Sequence, residues 1–407
     1  MLYREVPKSG DRLSILGFGA MRLPTEDGSI DKEKATTLLH HAIDNGVNYI
    51  DSAWTYHKEQ SESFLGDALK DGYREKVRIA TKMPHWLVNS QQDMDKFLEL
   101  QLKRLRTDYI DYYLIHSLTE SGWKKVKENG VLEFLERAKL DGRIKNVGFS
   151  FHDNPEIFKE IVDSYDWDVC LIQYNYLDEN HQAGTEGLEY AAEKGIGIIV
   201  MEPLRGGNLA RNIPSDVEEI WDSSDVKRTP SEWSLRWIWN HPEVTVVLSG
   251  MNDISQVDEN IRIASEAKPD SLTEGELETV RKVAKKYRGL MTIPCTGCNY
   301  CMPCPTGVDI PGCFDLYNSN QIFGGANDSG AKHKYLLYQM GILGERSSAS
   351  LCVDCGKCKE LCPQQIDIPL KMKDVEAQFE QPAVKIKASA MRTILPVFRH
   401  INVLKYR

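Results

Sequence analysis

Between Leu13 and Gly250 short apolar runs alternate with longer amphipathic ones, and this alternation restricts the fold more than any other property of the chain. The short runs are Leu13–Met21, Asn48–Ser52, Val77–Lys82, Asp111–His116, Ile144–Ser150, Val169–Asn175, Gly195–Leu204 and Val244–Gly250. Helical patterns stand between them. After Asp31 the apolar residues Ala35, Leu38, Leu39, Ala42 and Ile43 repeat at helical spacing, with Gly46 beyond as a stop. Further helices are expected near Glu62–Lys70, Asp93–Leu105, Trp123–Leu140 and Pro155–Val162. Parallel strands need a crossover between them, usually a helix. Eight strands in strict alternation predict a closed (β/α)8 barrel. A doubly wound sheet would want a Gly-x-Gly-x-x-Gly turn opening its first helix, and none follows any of these strands.

Three successive runs end in ionisable groups. Asn48-Tyr49-Ile50 breaks off into Asp51, with Tyr56 in the loop beyond; the next run ends on Lys82 and the third on His116. In a parallel barrel these positions share the carboxyl end of the strands, where active sites gather. A lysine favours the phenolate of a neighbouring tyrosine, and a carboxylate keeps the lysine charged and placed. Tyr56 is therefore expected to give up a proton nearer neutral pH, with His116 orienting a carbonyl oxygen. The side chains of Trp54, His57, His85, Trp86 and Trp221 are expected to shape the surrounding pocket.

At these residues the sequence resembles the aldo/keto reductase family, from the N-terminus to about residue 285. The Asp51, Tyr56, Lys82, His116 set carries the likeness, with Ser61-Glu62…Leu65-Gly66, Ala80-Thr81-Lys82, Gly148-Phe149-Ser150 and Pro203-Leu204. The resemblance implies NAD(P)H as cofactor and a small carbonyl or alcohol as substrate. It places Ser150 and Gln173 on the nicotinamide carboxamide and Gly19, Met21 and Asp51 beside the cofactor. Pro203, Leu204, Gly250, Gln256 and Asn260 would pass near its pyrophosphate and adenosine. Three positions depart from the family pattern. Met201 stands where an aromatic residue often stacks on the nicotinamide, and Phe151 where an Asn often follows the serine. Gly250 and Gln256 stand where NADPH-specific members place Lys and Arg, which weakens capture of a 2′-phosphate.

The last third of the chain has a different chemistry. Cys352-x2-Cys355-x2-Cys358-x3-Cys362-Pro363 has the spacing of a bacterial ferredoxin run, in which three close thiolates grip one [4Fe–4S] cube and the fourth reaches another. Zinc sites seldom use three such gaps closed by Cys-Pro. An earlier run, Cys295-x2-Cys298-x2-Cys301-x2-Cys304-Pro305, is one residue shorter in its last gap, and the flanks Val308-Asp309-Ile310-Pro311 and Ile366-Asp367-Ile368-Pro369 repeat each other. This duplication resembles the dicluster ferredoxin domain. The resemblance implies one cluster on Cys295, Cys298, Cys301 and Cys362 and another on Cys352, Cys355, Cys358 and Cys304. Helices around Cys313–Asn318 and Lys334–Met340 are expected to join the halves. Cys170 and Cys313, outside both runs, read as buried apolar residues.

The expected organisation is a barrel over 1–288, a small, mainly helical ferredoxin-like domain over 289–380, and a tail over 381–407. The tail carries Lys385, Lys387, Arg392, Arg399, Lys405 and Arg407 with no acidic residue, in a chain of net charge −10. That balance argues against nucleic acid as a partner. No window approaches the length of a membrane span, the start has no apolar signal region, and a cytoplasmic location is expected. The function expected is nicotinamide-dependent oxidoreduction, with an iron–sulfur module that leaves room for a redox partner protein. The competing reading is an electron-transfer protein whose barrel is only a docking or regulatory scaffold; the intact set of four favours the enzyme. Nicotinamides move two electrons and a cluster one, so direct coupling would need a converter such as a flavin, and no flavin motif is visible.

Overall fold

The computed structural model describes residues 1–405 apart from Asn212, Thr296, Cys298, Asn299, 325–329, Leu343 and Pro363, and only the backbone of 394–405. The described chain forms two compact units, one of Met1–Ala210 with Ser223–Val280, the other of Arg211–Asp222 with the residues from Arg281 onward.

The first unit is a closed barrel of eight parallel strands: β1 (Leu16–Gly19), β2 (Tyr49–Asp51), β3 (Arg78–Met83), β4 (Ile110–Leu118), β5 (Ile144–Phe151), β6 (Val169–Gln173), β7 (Gly197–Met201) and β8 (Val244–Ser249). Neighbours in sequence are neighbours in the barrel, and β8 pairs with β1. The crossovers carry helices α1 (Lys32–Asp44), α2 (Ser61–Ala68), α3 (Gln91–Leu105), α4 (Glu120–Glu128), α5 (Val131–Leu140), α6 (Pro155–Asp163) and α7 (Gly184–Glu193). After β7 come α8 (Ser215–Ser223), which falls in the second unit up to Asp222, then α9 (Pro230–Trp239), α10 (Ile254–Glu266) and α11 (Glu274–Gly289), which passes into the second unit at Arg281. Local chemistry sets the ends of these helices. Asp31 accepts a hydrogen bond from the Lys34 N–H at the start of α1, and Asn154 accepts from Ile157 with Pro155 at the first helical position of α6.

Two expected elements are divided. Leu13–Met21 was expected as a single strand, but Arg12–Ser14 pairs antiparallel with Tyr3–Glu5 before β1 begins at Leu16. Ser14 Oγ donates to the Leu16 carbonyl oxygen, a bond that bends the chain there. The expected helix Trp123–Leu140 is α4 and α5, separated at Asn129-Gly130, where Gly130 has φ 74° and cannot continue a right-handed helix.

Side chains alternate across a strand. The layer filling the barrel includes Tyr49, Ala80, Tyr112, Leu114, Val169, Leu171, Ile199, Val246 and Leu248, all buried. One glycine on the outer face tests how tightly helices are seated. A Cβ on Gly66 in α2 would fall on the Arg104 carbonyl oxygen and 2.8 Å from the Leu105 carbonyl carbon. Ala ordinarily favours a helix over Gly by about 1 kcal/mol. Here the obstacle is backbone, so Gly66→Ala is expected to destabilise the barrel by about 2 kcal/mol. A denaturation midpoint equal to or above wild type would show that α3 can give way.

In the second unit the repeated flanks build the same structure twice. Asp309 caps α12 (Ile310–Phe323) by accepting from the Gly312 N–H, and Asp367 caps α15 (Ile368–Phe379) by accepting from Leu370. Val308, Ile310, Ile366 and Ile368 are all buried in one core with Phe314, Tyr335 and Met372. Between these helices lie α13 (Gly330–Leu337) and the short α14 (Lys357–Glu360). Helices thus join the two halves. The basic tail is α16 (Pro382–Lys405), whose Ala388 packs into the core while Ile386 stays exposed. Among the described residues no helix is long and apolar enough to cross a membrane.

Candidate active site

Two residues beyond the filled layer, five of the strands carry a side chain at their carboxyl end. Tyr49 is followed at that spacing by Asp51, Ala80 by Lys82, Leu114 by His116, Leu171 by Gln173 and Ile199 by Met201. The four expected reactive residues do converge. Lys82 Nζ lies 2.6 and 2.8 Å from the two Asp51 oxygens, 2.8 Å from the Ser52 carbonyl oxygen and 3.3 Å from the Tyr56 hydroxyl. Asp51 is 2% and Lys82 1% exposed. The Tyr56 and His116 rings meet edge-on with centroids 6.1 Å apart, and Trp86 flanks His116 at 5.2 Å.

Behind Lys82, Gln101 holds the strand by donating to the Lys82 carbonyl oxygen (3.0 Å) and to Glu62 (2.6 Å), while Tyr113 donates to Gln101. Glu62 also accepts from Thr81. Trp54 packs against this outer side. Its ring packs edge-on against Phe97 and carries the Arg104 guanidinium 3.5 Å above it.

Burial works against the Lys82 ammonium, but the contacts with Asp51 and Tyr56 outweigh it, so Lys82 is held more firmly protonated than an ordinary lysine. Burial also dominates at Tyr56. It raises the phenol above its ordinary value in spite of Lys82, so the expected shift toward neutrality does not occur. His116 is driven well below the ordinary imidazole range by burial and then by Lys82, and stays neutral. Its Nδ1 has no hydrogen-bond partner among the described residues.

The residues expected around a cofactor form an arc from β5 through β8 to β1. Ser150 Oγ accepts from the Ser117 N–H (2.6 Å), and Gln173 Nε2 donates to Asp178 (2.8 Å). Phe151 is fully buried and Met201 packs on the barrel core. In the loop after β7, which holds Pro203 and Leu204, Glu202, Arg205, Gly206 and Gly207 all have positive φ, so the backbone turns sharply there. At the end of β8, Asn260 donates to Ser249 Oγ (3.0 Å), and Gln256 accepts from the Asn252 N–H. Gly19 is buried and Met21 is 58% exposed. Arg22, beside Met21, lies against both Gly250 and Gly206.

In the second unit Cys358 is buried, Cys295, Cys301, Cys304, Cys352 and Cys362 border the core, and Cys355 is exposed. Cys298 lies outside the described residues. Burial pushes the Cys358 thiol up, and so do the neighbouring Cys352, Cys304 and Cys355, which brings Cys304 of the first run among the thiols of the second. Burial works to raise Cys304 as well. Hydrogen bonds from the Thr306 hydroxyl and from the N–H groups of Thr306, Val308 and Gly307 outweigh it and hold that thiol below its ordinary range. Among the described residues no three His, Cys, Asp or Glu side chains close around a point as a single ion requires. A four-iron cube carries each thiolate on a separate iron, so its ligands stand farther apart than those of a single ion. Cys170 and Cys313 are fully buried.

Residues 15–284 match the aldo/keto reductase family. The chain belongs to that family. Residues 294–366 match the 4Fe-4S dicluster domain, so this is an aldo/keto reductase family oxidoreductase followed by an iron–sulfur domain. It is similar to an uncharacterized oxidoreductase, YqkF, of Bacillus subtilis, with 27% identity over 70% of this chain and 97% of that protein. With L-galactose dehydrogenase of Arabidopsis thaliana it shares 24% identity over 70% of this chain and 95% of the relative. Among solved structures it resembles the holo form of aldo-keto reductase AKR11C1 from Bacillus halodurans (TM-score 0.60, 28% identity, 70% of this chain and 96% of that one). An aldo-keto reductase from Klebsiella pneumoniae in complex with NADPH shares the fold (TM-score 0.58, 20% identity, 70% and 96% coverage).

In this aldo/keto reductase the strand-end residues were visible from their spacing, whereas Asp178, Arg205 and Arg22 were not. They sit in loops without a repeat, and only folding brings them beside Gln173, Gly206 and Gly250.

Proposed function

We propose that the barrel catalyses NAD(P)H-dependent reduction of a small carbonyl compound, or the reverse alcohol oxidation, with Tyr56 as general acid. The observation that carries this reading is the Lys82 ammonium held between the Asp51 carboxylate and the Tyr56 hydroxyl. Bound NAD(P)H would supply the hydride. Tyr56 keeps its proton at neutral pH and yields it as negative charge develops on the substrate oxygen. The tyrosinate left behind lies beside Lys82, which stabilises it most at that moment. Asp51 and the Ser52 carbonyl hold Lys82 in place, and neutral His116 offers a hydrogen bond to the same oxygen. Met21, Ser150, Gln173, Met201, Gly19 and the turns at Pro203-Leu204 and Gly250–Asn260 are the residues proposed to hold the cofactor.

The cysteines are proposed to bind two [4Fe–4S] clusters, one on Cys295, Cys298, Cys301 and Cys362 and one on Cys304, Cys352, Cys355 and Cys358. They would pass electrons to or from a redox partner. Oxidation of NADH and NADPH by anaerobically purified protein, followed over a panel of aldehydes and ketones, tests the reading of the barrel. With Gly250 and Gln256 offering no cation, NADH is expected to serve at least as well as NADPH. A hundredfold preference for NADPH, about 2.7 kcal/mol, would assign the 2′-phosphate to another cation, Arg22 first. Failure of every carbonyl with both cofactors would favour the scaffold reading.

A further inference from the structure

We infer that Asp178 is a positioning residue that fixes which end of the Gln173 amide meets the cofactor, and so makes the site select a carboxamide over a carboxylate on the pyridine ring. This rests on the proposal that Ser150 and Gln173 face that group. Asp178 is 4% exposed, and its Oδ2 accepts from Gln173 Nε2 (2.8 Å) and Asn175 Nδ2 (2.8 Å), with Arg205 Nε 3.4 Å away. A carboxylate offers only lone pairs. The Gln173 nitrogen must therefore turn toward Asp178, and Oε1 is left facing the other way, without a hydrogen-bond partner among the described residues.

Neighbouring groups keep Asp178 from yielding. Asn175 cannot turn over, because its Oδ1 accepts from the N–H groups of Leu177 (3.0 Å) and Asp178 (3.2 Å) while its Nδ2 also reaches the Glu202 carbonyl oxygen (3.2 Å). On the neighbouring strand, Ser150 Oγ already accepts from Ser117 N–H, so its own proton is the one left to give. The pair thus presents one donor, Ser150, and one acceptor, Gln173 Oε1. A carboxamide satisfies both with its C=O and its NH2. A carboxylate would set a negative oxygen against Oε1.

The test is binding, followed by quenching of protein fluorescence with NAD and with its deamido analogue, which carries nicotinic acid in place of nicotinamide. Wild type is expected to prefer NAD by about 100-fold, because the analogue leaves a buried polar group opposed. In Asp178→Asn the new amide can donate to Gln173 Oε1 and let Gln173 turn its NH2 outward, so the preference should shrink to below about tenfold. Asp178→Glu retains the acceptor and should keep most of the preference. A loss of structure alone would weaken both ligands equally and leave their ratio unchanged. Gln173→Leu separates the inference from the reading beneath it. If that variant leaves both affinities unchanged, Gln173 does not face the carboxamide and both fall. If it abolishes the preference while Asp178→Asn keeps it in full, only the role of Asp178 is overturned. Should Asp178→Asn not fold, wild type still decides. Its affinity for the 3-acetylpyridine analogue, which lacks the NH2 donor, should be about tenfold weaker than for NAD; equal affinity for all three ligands overturns the inference.

Discussion

Replacing Tyr56 with phenylalanine is expected to lower kcat for carbonyl reduction by about 100- to 10,000-fold, the usual contribution of a positioned general acid. The dissociation constant for NADH should change by less than about twofold, since the lost hydroxyl works in the transition state and not in holding the cofactor. Removing it leaves the Asp51–Lys82 pair intact with its Ser52 contact, so no buried charge is stranded. Circular dichroism and the unfolding midpoint should therefore stay near wild type, and a variant retaining near wild-type turnover would sink the assignment. The pH profile gives an independent check. Tyr56 is raised above its ordinary range by burial, so it stays protonated through neutral pH; His116, held well below its ordinary range by burial and then by Lys82, stays neutral there. Neither direction brings a titration into the neutral range, and kcat for reduction should be flat from about pH 7 to 9. A descending limb near pH 7 would mean that Lys82 lowers the phenol after all.

That disagreement over Tyr56 marks where sequence reasoning stops. Periodicity was enough to place Asp51, Lys82 and His116 at one rim, because alternation along parallel strands is a local rule and each strand obeys it separately. The acidity of Tyr56 depends instead on how much protein surrounds it. A lysine at 3.3 Å and full burial act in opposite directions, and only the folded packing decides between them. Gly130 is similar, since the apolar pattern runs unbroken from Trp123 to Leu140 and only the backbone angle separates α4 from α5. Trp54 stands at a position that reads as loop, yet Arg104, fifty residues on in α3, lies over its ring. The Asp178 network is less legible still, because its members come from β6, the loop after it and the turn beyond β7. By contrast the repeated Val-Asp-Ile-Pro and Ile-Asp-Ile-Pro segments needed no tertiary information, since each carries its own helix cap and its own buried pair.

Protein purified without exposure to air is expected to carry about eight irons per chain, four for each of two cubes. The shortened gap before Cys304 makes this a demanding expectation, because a cysteine one residue closer to Cys301 must still reach the thiols of the second run. Two features support that reach. Cys304 is close enough to Cys358 to raise its pKa, and the N–H groups of Thr306, Gly307 and Val308 turn toward its sulfur, which favours the thiolate a cluster requires. Cys304→Ala should therefore remove the cluster shared with Cys352, Cys355 and Cys358 and leave about four irons on the other. Iron analysis with electron paramagnetic resonance separates the outcomes. Wild type with both clusters reduced should show spin coupling between them, and the variant should show a single uncoupled signal. Four irons in wild type, or stoichiometric zinc, would defeat the two-cluster assignment. Eight irons retained in Cys304→Ala would keep the clusters but overturn the crossing of Cys304 into the second. The variant should leave NADH oxidation by the barrel in place if the two chemistries are independent; a parallel loss of carbonyl reduction would instead show that electrons pass between them, through a carrier able to convert one-electron into two-electron steps.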